Sequence, residues 1–275
     1  MIKGVTDPQQ REHQEEGVPP VSGGEEIGQI LVPVSEHDHT RARNRVRNRN
    51  LLLGVLAIAG VAFAYKHYTD PIRALDDLDS GERQLKSGRY QQAILFFDQA
   101  IGIIPDYAEA YQQRGRAQMA LFKPAEAVPD FLRYVELRPE DPAGYLDLGR
   151  AHLGVEDFRA ALQDGALAVQ YGSKTGAAYQ LRGIARRRLG MLIEALEDFD
   201  QAVELAPEMA NYYERGATLQ DLGRHASAIE AFTEVIKFDG ANAQAFHARS
   251  KSYRALGNIV QADLDRMQGR KLDGR

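Results

Sequence analysis

AYQLRGIARRRLGMLIEALEDFDQAVELAP, residues 178–207, decides the fold. It reads as two amphipathic helices of about a dozen residues each, joined by a short turn at Gly190 and stopped by Pro207. Proline cannot continue a helix and resets the chain direction. The same phase recurs on both sides. Alanine stands at Ala93, Ala127, Ala161, Ala195, Ala228 and Ala262, in steps of 34, 34, 34, 33 and 34. Sixteen residues before each alanine from the second onward is an aromatic: Tyr111, Tyr145, Tyr179, Tyr212 and Phe246. Four residues after an alanine come Phe97, Phe131, Phe199 and Phe232, and twelve after come Pro105, Pro139 and Pro207.

The physical reading follows from the spacing. A helix–turn–helix pair fills 34 residues, and stacked pairs bury a continuous core that no pair buries alone. Gly115, Gly149, Gly183 and Gly216, with the alanines, fall where the two helices of a pair cross, so small residues permit close approach. The aromatics are expected to fill the space between neighbouring pairs. Gly88, Gly190, Gly223 and Gly257 recur at the turn between helices.

This pattern resembles the tetratricopeptide repeat (TPR) family over about residues 74–275. AYQQRGRAQ, GYLDLGRAH, AYQLRGIAR and NYYERGATL are similar to the family's first helix, and EALEDFDQAVELAP to its second. The family tryptophan is replaced throughout by Tyr or Phe. The resemblance implies an all-α, right-handed superhelical solenoid of about six units, near 74–107, 108–141, 142–175, 176–208, 209–242 and 243–275. Asp77 and Ser80 in the first unit, and Arg266 and Gly269 in the last, replace apolar or small residues, as expected of polar terminal caps that make the array complete.

Three departures stand out. Gly165 replaces the interior phenylalanine of the third unit and Ser173 its proline, which implies either relaxed packing or a soft joint with a small pocket. Pro129 lies inside the second helix of unit two, where it is expected to kink the helix or remove a backbone bond. The fifth unit arrives one residue early, which implies a shorter turn around 207–212.

Upstream, the chain changes character. Residues 1–40 carry eight acidic residues and only Lys3 and Arg11 as bases, without apolar periodicity, so residues 1–50 read as a disordered acidic tail ending in an Arg-rich flank. That flank is Arg41, Arg43, Arg45, Arg47 and Arg49, a run suited to acidic lipid headgroups or to nucleic acid. LLLGVLAIAGVAFAY, residues 51–65, follows without a charge. It covers about 22 Å as a helix, short of a hydrocarbon core of about 30 Å. Arg49 and Lys66 can extend it by snorkelling, and Tyr65 and Tyr68 suit an interface. The segment 51–68 is therefore read as one transmembrane helix, an uncleaved signal anchor. Ala62-Phe63-Ala64 leaves cleavage after Ala64 open as a variant. Five arginines before the run, against Lys66 and Arg73 after it, place the N-terminus in the cytoplasm and the array in the periplasm or its equivalent, beyond the inner membrane.

The resemblance implies a partner protein or peptide on the concave face, lined by first helices. The inward positions are Gln112, Arg116, Leu146, Arg150, Gln180, Ile184, Arg187, Tyr213, His247, Lys251 and Arg254. Their basic lean fits an acidic segment or a free C-terminus. The two-carboxylate clamp that some family members use for chaperone C-termini is not matched: Gln112, Arg116, Asp147 and Arg150 stand in its place. Arg114, Arg182, Arg215 and Arg249 share one repeat position and are expected to be structural.

Nothing in the residues argues for chemistry. Cysteine is absent, so disulfides, thiolate metal sites and cysteine nucleophiles are absent too. His37-Asp38-His39 lacks the rigid surroundings a metal needs. The net charge of −5 gives no overall pull toward nucleic acid. The expectation is a non-enzymatic, membrane-tethered scaffold without metal, cofactor or small-molecule substrate, holding proteins during assembly or stabilisation of a membrane or envelope complex. A constitutive subunit of a large membrane complex, with Gly60 and Ala64 as a helix-contact face, and a cytoplasm-facing regulator of an enzyme are the alternatives.

Overall fold

A computed structural model describes residues 36–172 and 174–274, with the side chains of 36–39, 42 and 68 outside the description. The acidic tail, His37-Asp38-His39 and Ser173 therefore lie wholly or largely outside the described residues. Among the described residues the chain is all α, in twelve helices. They are α1 (Glu36–Lys86), α2 (Tyr90–Ile103), α3 (Ala108–Ala120), α4 (Pro124–Leu137), α5 (Pro142–Gly154), α6 (Phe158–Gln170), α7 (Gly176–Arg188), α8 (Leu192–Leu205), α9 (Met209–Asp221), α10 (His225–Phe238), α11 (Ala243–Ala255) and α12 (Ile259–Leu272). The chain divides into two compact units, 1–60 and 61–275.

In the larger unit each helix packs on its sequence neighbour, and α3, α5, α7, α9 and α11 also touch one another in series. No such contact links α4, α6, α8, α10 and α12. The helices that touch in series form the inner row of the solenoid, and the others form its outer row.

The small residues do the work expected of them. A Cβ on Gly115 would lie 2.7 Å from the Phe131 ring, one on Gly216 2.9 Å from Phe232, and one on Gly183 3.0 Å from Phe199. Phe97, Phe131, Phe199 and Phe232 are all fully buried, each stabilising the fold by about 2–3 kcal/mol. The expectation that these rings fill the gap between units needs correction. Each lies first against the glycine of its own pair, because the helices cross there. It reaches the next unit secondarily, as Phe131 does Leu148 and Phe232 does Ala248.

Tyrosine at the tryptophan position also gains a role. The Tyr111 hydroxyl donates to the Pro105 carbonyl at 3.0 Å and Tyr145 to Pro139 at 2.9 Å, tying each first helix to the turn before it. The turn glycines 88, 190, 223 and 257 all have φ near +75°, between +72° and +79°. Two units put other residues there, Phe122 (φ 58°) and Glu156 (φ 61°). That left-handed conformation costs an L-residue about 1–2 kcal/mol.

The departures resolve differently. α4 runs through Pro129 unbroken, with Pro129 on the exposed side and Pro124 in the first turn. The early fifth unit has a turn of residues 206–208, against 239–242 for the next. Asn211 braces it from inside: its Nδ2 donates to the carbonyls of Ala206 at 2.8 Å and Ala202 at 3.3 Å. The space beside Gly165 itself is filled. The backbone of α7 closes in, so that a Cβ on Gly165 would lie 3.0 Å from Arg182 Cβ and 3.1 Å from its Cα.

The apolar run sits within α1, a single 51-residue helix that contains Pro71 and continues into the first helix of the array. There Ala74, Leu78 and Gly81 are buried, Leu78 and Gly81 against α2. No break marks residue 68 or 74. Residues 51–65 are exposed throughout, and the helix is long and apolar enough to cross a membrane by length and composition. The last unit also differs from a purely polar cap. Arg266 is exposed, but so are Val260, Leu264 and Met267.

Candidate protein-binding surface

The inner row is built from first helices whose apolar and small residues are committed to packing, leaving one polar stripe per helix. The structure ties most of that stripe to itself. Asp147 on α5 accepts from Gln112 Nε2 at 3.0 Å and from Arg116 Nε at 2.9 Å, both on α3, while Arg150 Nη1 lies 3.8 Å away. Gln112 is buried by this bond. Arg187 on α7 donates to Asp221 at 2.8 Å and to Glu214 at 3.1 Å, both on α9. Gln220 on α9 donates to the Ala248 carbonyl at 2.7 Å and to Ser252 Oγ at 2.6 Å, on α11. His247 pairs with Asp273 at 2.9 Å, and its ring fills the space that Gly269 leaves open. Arg254 donates to Asp263 at 2.8 Å.

These contacts cancel much of the basic lean read from the sequence. Arg116, Arg150, Arg187 and Arg254 each have a carboxylate neighbour, while Lys251 is exposed and, among the described residues, has none. The remaining uncharged positions are half-buried. Tyr213 sets its ring edge-on to Phe232 with centroids 5.6 Å apart, Leu146 packs on the Tyr145 cluster, and Gln180 stands one turn before Ile184. Ile184 and Arg187 join Leu153, Phe158, Arg188 and Glu214 around a shallow open depression. At the α5–α7 step the inner contact is apolar, with Leu181 over Gly149.

The repeated arginines are structural, as expected, and the structure shows how. Arg114 holds Asp130 in its own unit at 2.8 Å through Nε and Asp98 of the preceding unit at 2.5 Å. Arg249 spans Asp265 at 2.8 Å and Thr233 at 3.0 Å in the same way. Arg182 binds Asp198 at 2.7 Å, and Arg215 reaches back to Asp200 at 2.6 Å. Hydrogen bonds donated to their carboxylate partners push the Arg114, Arg182 and Arg249 guanidiniums further up from an already high range. Sequence reasoning missed the arginine partners Asp130, Asp198 and Asp265, and Asp164 at the same repeat position. The signal was present, an acidic residue three positions after the repeat alanine in four units.

The third unit has Leu148 where the second, fourth, fifth and sixth have that arginine. Its buried Asp164 is held instead by His152 Nδ1 at 2.6 Å. Burial raises the Asp164 pKa above the usual carboxylate range, with the His152 hydrogen bond opposing the rise. Among the described residues no group of three or more His, Cys, Asp or Glu is placed to hold a metal ion.

With this geometry in view, three comparisons place the chain. The Tetratricopeptide repeat family matches residues 108–141, 176–209 and 210–242. The chain is 33% identical over 81 residues to the Hsp70-Hsp90 organizing protein of Triticum aestivum, covering 30% of this chain and 14% of that protein. It is 25% identical over 189 residues to Tetratricopeptide repeat protein 16 of Macaca fascicularis, covering 68% of this chain and 19% of that protein. It thus spans less than a fifth of the length of either relative. Among solved structures, PilW, titled a widely conserved type IV pilus biogenesis factor, superposes with a TM-score of 0.65 at 17% identity, over 72% of this chain and 92% of that one. These matches support the repeat fold and, in general, a protein-interaction role, in keeping with an inner row that mixes polar and apolar contact residues. Matched repeats, helix pairing and buried glycine–phenylalanine crossings together identify tetratricopeptide repeats at residues 108–141, 176–209 and 210–242, within an all-α array of helix pairs.

Proposed function

We propose that this protein is a membrane-tethered scaffold whose inner row of helices binds a partner protein during assembly or stabilisation of a membrane or envelope complex. The observation that carries the membrane part is the exposed apolar run of residues 51–65, continuous in one helix with the first helix of the array. Fifteen exposed apolar or small residues would be costly in water and are favourable in hydrocarbon. Arg41 to Arg49 on one side, against Lys66 and Arg73 on the other, support a cytoplasmic N-terminus and a periplasmic array.

The binding part rests on the inner row. Because internal carboxylates neutralise most of its cations, the partner is read as a mixed polar and apolar segment rather than a strongly acidic one. The surface from Ile184 to Lys251 is its favoured seat. Asp147 holds a carboxylate among the positions where a clamp for terminal carboxylates would need cations, which argues against chaperone tails as ligands.

The test joins a reporter active only outside the cytoplasm to the C-terminus after Arg275, with carbonate extraction of the full-length chain. Reporter activity with a membrane-retained product supports the reading. Cytoplasmic activity or release by carbonate overturns the topology. For the binding surface, Tyr213→Ala with Lys251→Ala should lower recovery of co-purified partner about tenfold, as expected of contacts near the centre of an interface. Undiminished recovery would move the site elsewhere.

A further inference from the structure

The scaffold reading uses the arginine run only for its total charge, and the structure separates it into faces. Arg43, Arg47, Asn50, Gly54 and Ile58 follow one another at intervals of four, three, four and four, so they share one side of α1. Arg41 and Arg45 fall on the opposite side. The shared face bounds an open groove of ≈ 650 Å³, with Arg43, Arg47 and Asn50 at one end and Leu51, Val55 and Ile58 at the other. Between them is Gly54, where an added Cβ would meet nothing within 4 Å, so the notch is open. Arg43 and Arg47 are exposed, and among the described residues neither has a carboxylate partner, unlike Arg114 and Arg182 of the array.

We infer that this face is a binding site for one anionic phospholipid. The inference rests on the membrane-anchor reading and adds a ligand to it. Two guanidiniums one helical turn apart can both donate to a phosphodiester, and the Asn50 amide adds a further donor. Below them the glycine notch and apolar side chains receive the first part of an acyl chain. The order along the helix, cations, then amide, then notch, then apolar floor, matches headgroup, glycerol and chain in sequence. A zwitterionic lipid carries a choline ammonium that faces the same two cations, so the charge pattern selects a net negative headgroup. A duplex nucleic acid has no use for the apolar half of the groove.

The test uses the full chain in nanodiscs of phosphatidylcholine and phosphatidylglycerol in equal amounts, with native mass spectrometry counting lipids released on the protein. The chain carries phosphatidylglycerol in excess of phosphatidylcholine. Arg43→Gln with Arg47→Gln lowers that excess about tenfold, from the loss of two cations near an anionic surface. Arg41→Gln with Arg45→Gln removes the same charge from the opposite face and leaves the excess nearly unchanged. Equal loss in both double variants would show a diffuse charge effect and overturn the site, as would nucleic acid retained in place of lipid. Failure of the wild-type chain to remain in nanodiscs or in carbonate-washed membranes would instead sink the anchor reading itself, so the two failures are distinguishable.

Discussion

The third and fourth units are neighbours in the array and share a first helix of 13 residues, yet they hold themselves together differently. In the fourth, Phe199 fills the crossing at Gly183, Asp198 is gripped by Arg182 and Arg186, and Gly190 makes the turn. In the third, Gly165 lets the next helix close in, Asp164 has only His152, and Glu156 takes the left-handed turn. The fold tolerates the exchange because a solenoid adds its stability unit by unit, with each interface depending on its neighbours alone. One unit can therefore trade side-chain filling for backbone approach without disturbing the others.

Deletion and filling of the crossing should separate the units most. Phe199→Ala is expected to cost about 3–5 kcal/mol, since it opens a cavity where no neighbour can collapse. Placing the missing ring in the third unit, Gly165→Phe, should also destabilise, by about 1–3 kcal/mol, because Arg182 already occupies the space. Hydrogen exchange read helix by helix would locate both effects. A stabilised Gly165→Phe would mean that the third unit does hold a void.

The buried aspartates give the next contrast. Asp198→Ala leaves Arg182 and Arg186 without their acceptor and should cost about 3 kcal/mol. Asp164→Ala removes a single hydrogen bond, that of the His152 ring nitrogen, and should cost about 1 kcal/mol. Urea denaturation of the two variants measures the difference, and equal losses would erase it.

The same pair predicts a pH signature. The folded-state pKa of Asp164 is raised, chiefly by burial, with Asp157 adding to the rise and His152 opposing it. Its contribution to stability is therefore fully present below the unfolded carboxylate range and is lost as pH rises through the raised value. Asp164→Asn should flatten this part of the stability–pH curve. A curve that keeps its shape would show that Asp164 does not titrate in this way.

The smallest effect belongs to the turns. Glu156→Gly should stabilise the third unit by about 1 kcal/mol, and Gly190→Glu should weaken the fourth by a similar amount. Thermal melts of both would test this. Phe122, 93% exposed in the same conformation, offers a third site for the same exchange.

Much of the architecture was legible because repeat periodicity is written in residue types. The alanine phase, the crossing glycines and the prolines constrain helix pairing directly, through volume and backbone freedom. The array could be drawn from Ala93 to Ala262 without coordinates. The binding surface was less legible. A first-helix position says that a side chain lies on the inner row, but not what lies across from it. Gln112 and Arg116 lie 35 and 31 residues before Asp147, and only the superhelical stacking brings them to it.

The sequence by itself determined the solenoid, its unit length, the structural nature of the repeated arginines and the apolar run beyond it, since each depends on local volume, hydropathy and spacing. Tertiary structure alone decided that Gly165 marks a close approach rather than a gap, that His152 replaces an arginine clasp, and that the inner cations are mostly spent on neighbouring carboxylates. These depend on distances between units, which a one-dimensional period does not carry.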